Sequence, residues 1–200
     1  MRFTLSSSAL NARLQSLAKV INSKNALPIL DSFLFDVRNG QLKLTASDSE
    51  NVMTTVMTLD EHDGEGSFAV PNRTILDAVK ELPEQPLTFE IDLAALTITI
   101  SYQNGAYNFT AQNAEEYPRA QVVPDSATTI VINATTLINN VSRTLFATAT
   151  DELRPVMNGI YFDLKEDGLA IVASDGHKLV RNRNFSVKSE TPAAFVLPKK

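Results

Sequence analysis

The sequence contains no cysteine and no tryptophan, and only two histidines, His62 and His177. Without thiols there is no disulfide and no thiolate-held metal. Their absence also fits a reducing cytoplasm. Long apolar runs are missing too. Nothing approaches the roughly 20 consecutive apolar residues that a membrane-spanning helix needs. The opening MRFTLSSSALNARLQSLAKVI lacks the continuous apolar centre of a secretory signal, so it reads as mature structure from Met1. A net charge of −5 argues, taken alone, against a nucleic-acid binder, but a total hides its distribution. What is present is 200 residues, 44% apolar and 20% charged. That suffices for one large globular domain or two modest ones.

The chain repeats itself. LPILDSFLFDV (27–37) is echoed by RPVMNGIYFDL (154–164), with Pro28 and Pro155 127 residues apart. In the same register Phe35 meets Phe162, Asp36 meets Asp163, ASD at 46–48 meets ASD at 173–175, and FAVP at 68–71 meets FVLP at 195–198. Backwards, Phe3, Leu5 and Leu10 meet Ile130, Ile132 and Leu137. One ungapped register over roughly seventy positions is the signature of a duplicated domain. The boundaries read as 1–122 for a complete copy, 123–127 for a linker, and 128–200 for a copy that stops early. The counterparts of residues 73–82 and of the strands after them fall past Lys200, which implies the N-terminal part of a longer protein.

A weaker register, offset by 65, lies inside the first copy: Phe3, Leu5, Leu10, Leu14 and Leu17 meet Phe68, Val70, Ile75, Val79 and Leu82. Leu10, Leu14, Leu17, Ala18 and Ile21 make one helical stripe over 8–22, with Ser6 to Ser8 offering caps. Ile75, Val79 and Leu82 predict a helix over 73–82 that Pro83 stops, and Leu137, Val141 and Leu145 predict a third over 135–148. Between them lie β-rich runs, with RNGQ (38–41) as a hairpin turn. Each half therefore reads β-α-β-β-β. The expected class is α+β, with antiparallel sheets carrying helices on one face.

The helices and the residue just past the first of them gather positive charge. Arg13, Lys19, Lys24, Arg73, Lys80 and Arg143 face only Asp77 and Glu81 as acids on these segments. A basic helical face on an acidic protein can track a polyanion without reading sequence. Solvated lysines and arginines on polar helix faces are the plainer explanation of the same count.

SDGHKL (174–179) concentrates reactive types, and with Asp48 it allows a metal-dependent hydrolase using Asp48, Asp175 and His177. The repeat weakens that reading. Asp48 and Asp175 are equivalents, and a residue kept in both copies fits a framework role, accepting backbone N–H groups at a strand end. His62 sits in a loop-like acidic stretch, DEHDGEG, with nothing else at ligand spacing. Gly176 and His177 replace Ser49 and Glu50, so a new role can be grafted there. A repeat scaffold with no DNA role is the third reading.

MRFTLSSSAL, LPILDSFLFDV, LTASDSE, FAVPNRTILDAVKELP, EEYP, MNGIYFDL and ASDGHKL, in this order over the whole chain, resemble the bacterial sliding clamps, the β subunits of replicative DNA polymerase III. That resemblance implies the DNA-clamp fold and a non-catalytic processivity factor, cytoplasmic and nucleoid-associated, with no cofactor. It implies three similar domains per subunit, of which this chain holds the first and over half of the second. Two subunits would close head to tail around double-stranded DNA. Lys24 and Arg73 take positions of DNA contacts, joined by Arg13, Lys19, Lys80 and Arg143. Asp151, Pro155 and Val156 depart from the polar and tyrosine residues of some relatives, leaving Arg154 as the local contact. A groove for short peptides from polymerase III subunits, the clamp loader, other polymerases and repair proteins would include Met157, Ser174, Gly176, His177, Lys178 and Leu179. Lys178 stands where arginine is common. The ring interface would use Thr74, Ala78, Tyr107 and Phe109; core packing explains the two aromatics equally well.

Overall fold

The computed structural model describes residues 1–21, 25, 27–119, 123–150 and 154–199. The chain divides into two compact units, Met1–Gln121 and Val122–Lys200.

The first unit begins with β1 (Arg2–Ser6) and α1 (Ser7–Leu17), then β2 (Ser32–Arg38), β3 (Gln41–Ser47), β4 (Val52–Thr58) and a short β5 (Glu61–Asp63). The second half repeats the order: β6 (Gly66–Pro71), α2 (Asn72–Val79), β7 (Pro86–Asp92), β8 (Thr97–Tyr102), β9 (Gly105–Thr110), closed by β10 (Gln112–Asn113). Two antiparallel five-stranded sheets result, ordered β5-β1-β7-β8-β9 and β10-β6-β2-β3-β4. The halves are interleaved. The first strand of each half pairs into the other half's sheet, placing Phe3 opposite Phe89 and Phe35 opposite Phe68. These rings stack at 4.8 and 5.1 Å, and Phe35 meets Phe89 at 6.3 Å, so one aromatic cluster joins both sheets. Leu10, Leu14 and Leu17 of α1 and Ile75 and Val79 of α2 are buried in the same core. Neither half can bury its apolar face alone.

Local chemistry sets the ends of these elements. The Ser6 hydroxyl accepts the Ala9 N–H at 3.1 Å and caps α1. Asn39 and Gly40, at φ 50° and 72°, make the two-residue β2–β3 turn that RNGQ announces. Both helices are shorter than the apolar spacing suggests. α1 ends at Leu17, so Lys19 lies in the turns that follow it. α2 ends at Val79, four residues before Pro83, where a proline ring clashes with the carbonyl of a continuing helix. The acidic stretch around His62, expected as loop, forms β5 because β1 offers it a free edge, pairing Phe3 with His62.

The second unit carries α3 (Ala134–Ser142), β11 (Gly159–Lys165), β12 (Gly168–Ser174), β13 (Leu179–Asn184) and β14 (Ala193–Pro198). Its sheet order, β13-β12-β11-β14, reproduces β4-β3-β2-β6. Phe162 lies opposite Phe195 and stacks on it at 5.0 Å, as Phe35 does on Phe68. The expected 135–148 helix is split: α3 stops at Ser142, and a separate 3-10 turn spans Leu145–Ala147. Residues 128–133, the equivalents of β1, form no strand. In the first unit β1 pairs with β7 and β5. Ile130 and Ile132 still pack on the unit's core.

Candidate functional site

The turn after β12 is held mainly by two of its own side chains, Ser174 and Asp175, bonding to its backbone. Ser174 Oγ accepts the Gly176 N–H at 3.1 Å and donates to the Lys178 carbonyl at 2.9 Å. Asp175 Oδ1 accepts the N–H groups of His177 and Lys178 at 3.0 and 2.9 Å, while its Oδ2 pairs with Lys178 Nζ. The Lys178 bond first, and the two backbone donors after it, hold the Asp175 carboxyl well below the usual carboxylate range. Gly176 takes φ 90°, a conformation that glycine reaches without strain.

The same turn follows β3. Ser47 Oγ accepts the Ser49 N–H at 3.1 Å, and Asp48 Oδ1 accepts from Glu50 and Asn51 at 3.1 and 2.8 Å. The framework role expected for both aspartates is therefore what the geometry gives. A carboxylate that is strongly acidic and engaged by three donors is a poor general base. Among the described residues no group of three His, Cys, Asp or Glu side chains is placed to hold a metal ion.

On the turn's outer side His177, Lys178 and Leu179 are exposed, with Leu179 at 68%. Met157 is half-buried in the 3-10 turn Pro155–Asn158 that leads into β11. Arg154 joins the two pieces: its Nη1 lies 3.7 Å from Met157 Sδ and donates to the Asp175 carbonyl at 3.4 Å. A Cβ on Gly176 would stand 3.1 Å from that same nitrogen. The structure thus brings Met157, Ser174, Gly176, His177, Lys178 and Leu179 together and adds Arg154, which sequence reasoning had grouped with the DNA contacts. No spacing rule announces this, because the link closes only when β11 and β12 pair.

The basic residues separate into kinds. Arg13, Lys19, Arg73 and Arg143 are exposed. Arg73 borders a groove of about 620 Å³ with Ala18, Ile21, Asp31, Asn72 and Thr74, where Asn72 Nδ2 donates to the Asp31 carbonyl at 2.5 Å. Lys80 is engaged locally, 3.1 Å from Asp77 and 4.0 Å from Glu81, and the Asp77 hydrogen bond raises its pKa. Lys24 and Asp151 lie outside the described residues.

At the edge of its sheet, β9 presents a half-buried ladder in which Tyr107 stacks on Tyr102 at 5.0 Å and on Phe109 at 6.0 Å. Tyr107 and Phe109 pack against the core through one face, so they are partly core. Thr74 is exposed on α2, but Ala78 is 7% exposed and so mostly buried.

Comparison with known proteins gives concordant results. The family described as DNA polymerase III beta subunit, N-terminal domain, matches residues 1–121, and the central domain of the same subunit matches 131–200. The beta sliding clamp of Pseudomonas putida is 27% identical over 201 residues, covering 100% of this chain and 54% of the relative. That of Staphylococcus aureus is 30% identical over 205 residues, covering 98% and 54%. The crystal structure of the DNA polymerase III subunit beta from Pseudomonas aeruginosa superposes with a TM-score of 0.88 at 25% identity, covering 100% of this chain and 54% of that one. The chain spans about half the length of the curated relatives it matches.

Proposed function

This chain belongs to the family of DNA polymerase III β subunits, and on that premise we propose that it serves as part of a sliding clamp, a non-catalytic ring that holds a replicative polymerase on duplex DNA. The observation that carries the reading is the match of two successive clamp domains, in order, to the two structural units. A clamp must move along DNA, so its contacts belong on phosphates and carry no sequence information. Arg13, Lys19, Arg73 and Arg143, exposed on or beside helices, suit that task, with Lys24 as a further candidate. Lys80 is a weaker one, since Asp77 already engages its charge.

We assign short-peptide docking to the turn after β12. Met157 and Leu179 supply an apolar surface, and methionine adapts to varied ligands. Gly176 lets a peptide backbone approach closely. His177, Lys178 and Arg154 offer polar tips on apolar stems. A dye-labelled peptide from the C-terminus of a replicative polymerase subunit tests this: Leu179→Ala should weaken its binding at least tenfold, and unchanged binding would refute the assignment. For the ring, the edge of β9 with Tyr107, Phe109 and Thr74 is the surface we place against a second subunit, because an unpaired strand edge invites pairing. Ala78 would contribute there only through backbone packing. Topological retention on circular DNA tests the ring itself.

A hydrolase is disfavoured on a specific ground: Asp48 and Asp175 are each consumed by a turn of their own.

A further inference from the structure

Three Asn-Gly steps occur in the chain, at Asn39, Asn104 and Asn158. Asparagine before glycine is the step most prone to lose its amide, because glycine turns freely and has no side chain to shield the attacking backbone nitrogen. The fold treats the three differently. Asn39 and Gly40, at φ 50° and 72°, sit in a turn whose twist matches its strands. The Asn39 N–H is held by Glu65 Oε1 at 2.8 Å, and the His62 ring lies over Gly40, 3.1 Å from where a Cβ would stand. Gly159 is buried as the first residue of β11, where a Cβ would meet the Leu197 carbonyl at 2.7 Å. The Asn158 carbonyl accepts the Lys199 N–H at 3.2 Å.

Asn104–Gly105 has none of this cover. Both residues are exposed at the tip of the β8–β9 hairpin. Tyr102 pairs with Gly105, so Gln103 and Asn104 form a two-residue turn. Neither takes a positive φ. Two-residue turns that match strand twist need a positive φ at one or both central positions, so this turn works against the twist of β8 and β9. Gln103 is fixed, its N–H donating to Gln85 Oε1 at 2.8 Å. The Asn104 carboxamide beside it has no hydrogen-bond partner among the described residues. β9 itself is an edge strand, and among the described residues it pairs with β8 alone.

We propose that Asn104–Gly105 is a site of spontaneous deamidation, and that its conversion loosens β9. The Gly105 nitrogen, its proton taken by hydroxide, attacks Cγ of Asn104. A new C–N bond closes a succinimide ring, the carboxamide C–N bond breaks, and the side-chain nitrogen leaves as ammonia after taking a proton from water. Water then opens the ring at either carbonyl, giving aspartate or isoaspartate. Water is consumed, ammonia is released, and nothing is oxidised or reduced. Each product puts a carboxylate where a neutral amide stood. Isoaspartate also routes the main chain through the side-chain methylene, which lengthens the turn by one backbone atom. Gly105 then no longer meets Tyr102 in register, and the stacking of Tyr107 on Tyr102 at 5.0 Å is disturbed. The chemistry stands apart from the ring reading. Only its consequence for a second subunit along β9 rests on that reading.

The experiment incubates the 200-residue chain at mildly alkaline pH, folded and in denaturant, and follows each Asn-Gly step by peptide mapping with tandem mass spectrometry. Each folded rate is divided by the rate of the same step in denaturant, which removes the effect of local sequence. That ratio should be at least tenfold higher for Asn104 than for Asn39 or Asn158. A smaller difference overturns the site. The converted chain is then separated by ion exchange on its added charge. Its β9 amides should exchange with solvent at least tenfold faster than those of the starting chain, while those of β1 and β7 stay unchanged. Asn104→Gln, incubated in the same way, should keep slow exchange in β9. Unchanged β9 exchange in the converted chain, or equal loosening in Asn104→Gln, overturns the link between conversion and the strand.

Discussion

Asp48 and Asp175 hold one turn in two places. Each Oδ1 accepts two successive backbone N–H groups, at 3.1 and 2.8 Å for Asp48 and at 3.0 and 2.9 Å for Asp175. The duplication preserved the carboxylate and changed what surrounds it. The second turn carries Gly176, His177 and Lys178, and its outer side is exposed.

The first prediction concerns acid. The folded pKa of Asp175 is depressed, so its contribution to stability is present above the ordinary carboxylate value of about 3.9 and is lost as pH falls below it toward the folded pKa. Carboxyl NMR of the folded chain should therefore show no Asp175 transition down to about pH 3. A midpoint near 4 would mean that the Lys178 and backbone bonds do not form in solution.

The second prediction exchanges the residues at the turn's left-handed position. Ser49 takes φ 81° and Gly176 takes φ 90°. Ser49→Gly should relieve strain and stabilise the first unit by about 0.5–1 kcal/mol, whereas Gly176→Ala should cost about 1 kcal/mol or more. The added methyl would also press on Arg154 Nη1. Thermal unfolding of the two variants checks the opposite signs.

A third concerns Tyr117. Burial pushes its hydroxyl up to about 12. A raised folded pKa gives stability that is complete below the unfolded value of about 10 and is lost as pH rises through the folded one. The chain should lose roughly 2 kcal/mol between pH 10 and 12 that Tyr117→Phe does not lose. At neutral pH the phenylalanine variant should be more stable by about 1 kcal/mol, because the Tyr117 hydroxyl is buried with no partner in hydrogen-bonding geometry. Denaturant unfolding at pH 7 and pH 11.5 measures both; a less stable Tyr117→Phe at pH 7 would show a hydrogen bond to the hydroxyl.

The fourth separates two bases on and beside α2. Arg73→Ala should reduce the salt slope of duplex-DNA binding by about 0.9, the share of one phosphate contact. Lys80→Ala should leave it unchanged, since Asp77 already holds that ammonium. Equal effects would return Lys80 to the contact surface.

Much of this was legible in the chain. The offset between Pro28 and Pro155 foretold the repeated sheet, and the pairing of Asp48 with Asp175 foretold the shared turn. The interleaving of the halves was not legible, because a register within one sequence says nothing about which half's sheet a strand joins. Helix ends failed for local reasons: Leu82 keeps the apolar period, yet Pro83 ends α2 at Val79. Residues 128–133 looked like β1 by spacing, but a strand needs a partner as well as a pattern. The contact of Arg154 with Asp175 was not legible, because it closes only when β11 and β12 pair. Tyr117 stood in plain view in EEYP, but a lone aromatic in an acidic stretch gives no sign of what it will cover.

The most direct measurement of the central claim is topological. The polypeptide, as its source cell makes it, is loaded by a clamp loader onto a nicked circular plasmid and passed through gel filtration at a salt concentration that abolishes simple DNA binding. A sliding clamp co-elutes with the circle and is lost when a restriction enzyme linearises it. Retention that survives linearisation, or no retention on the circle, would contradict the account.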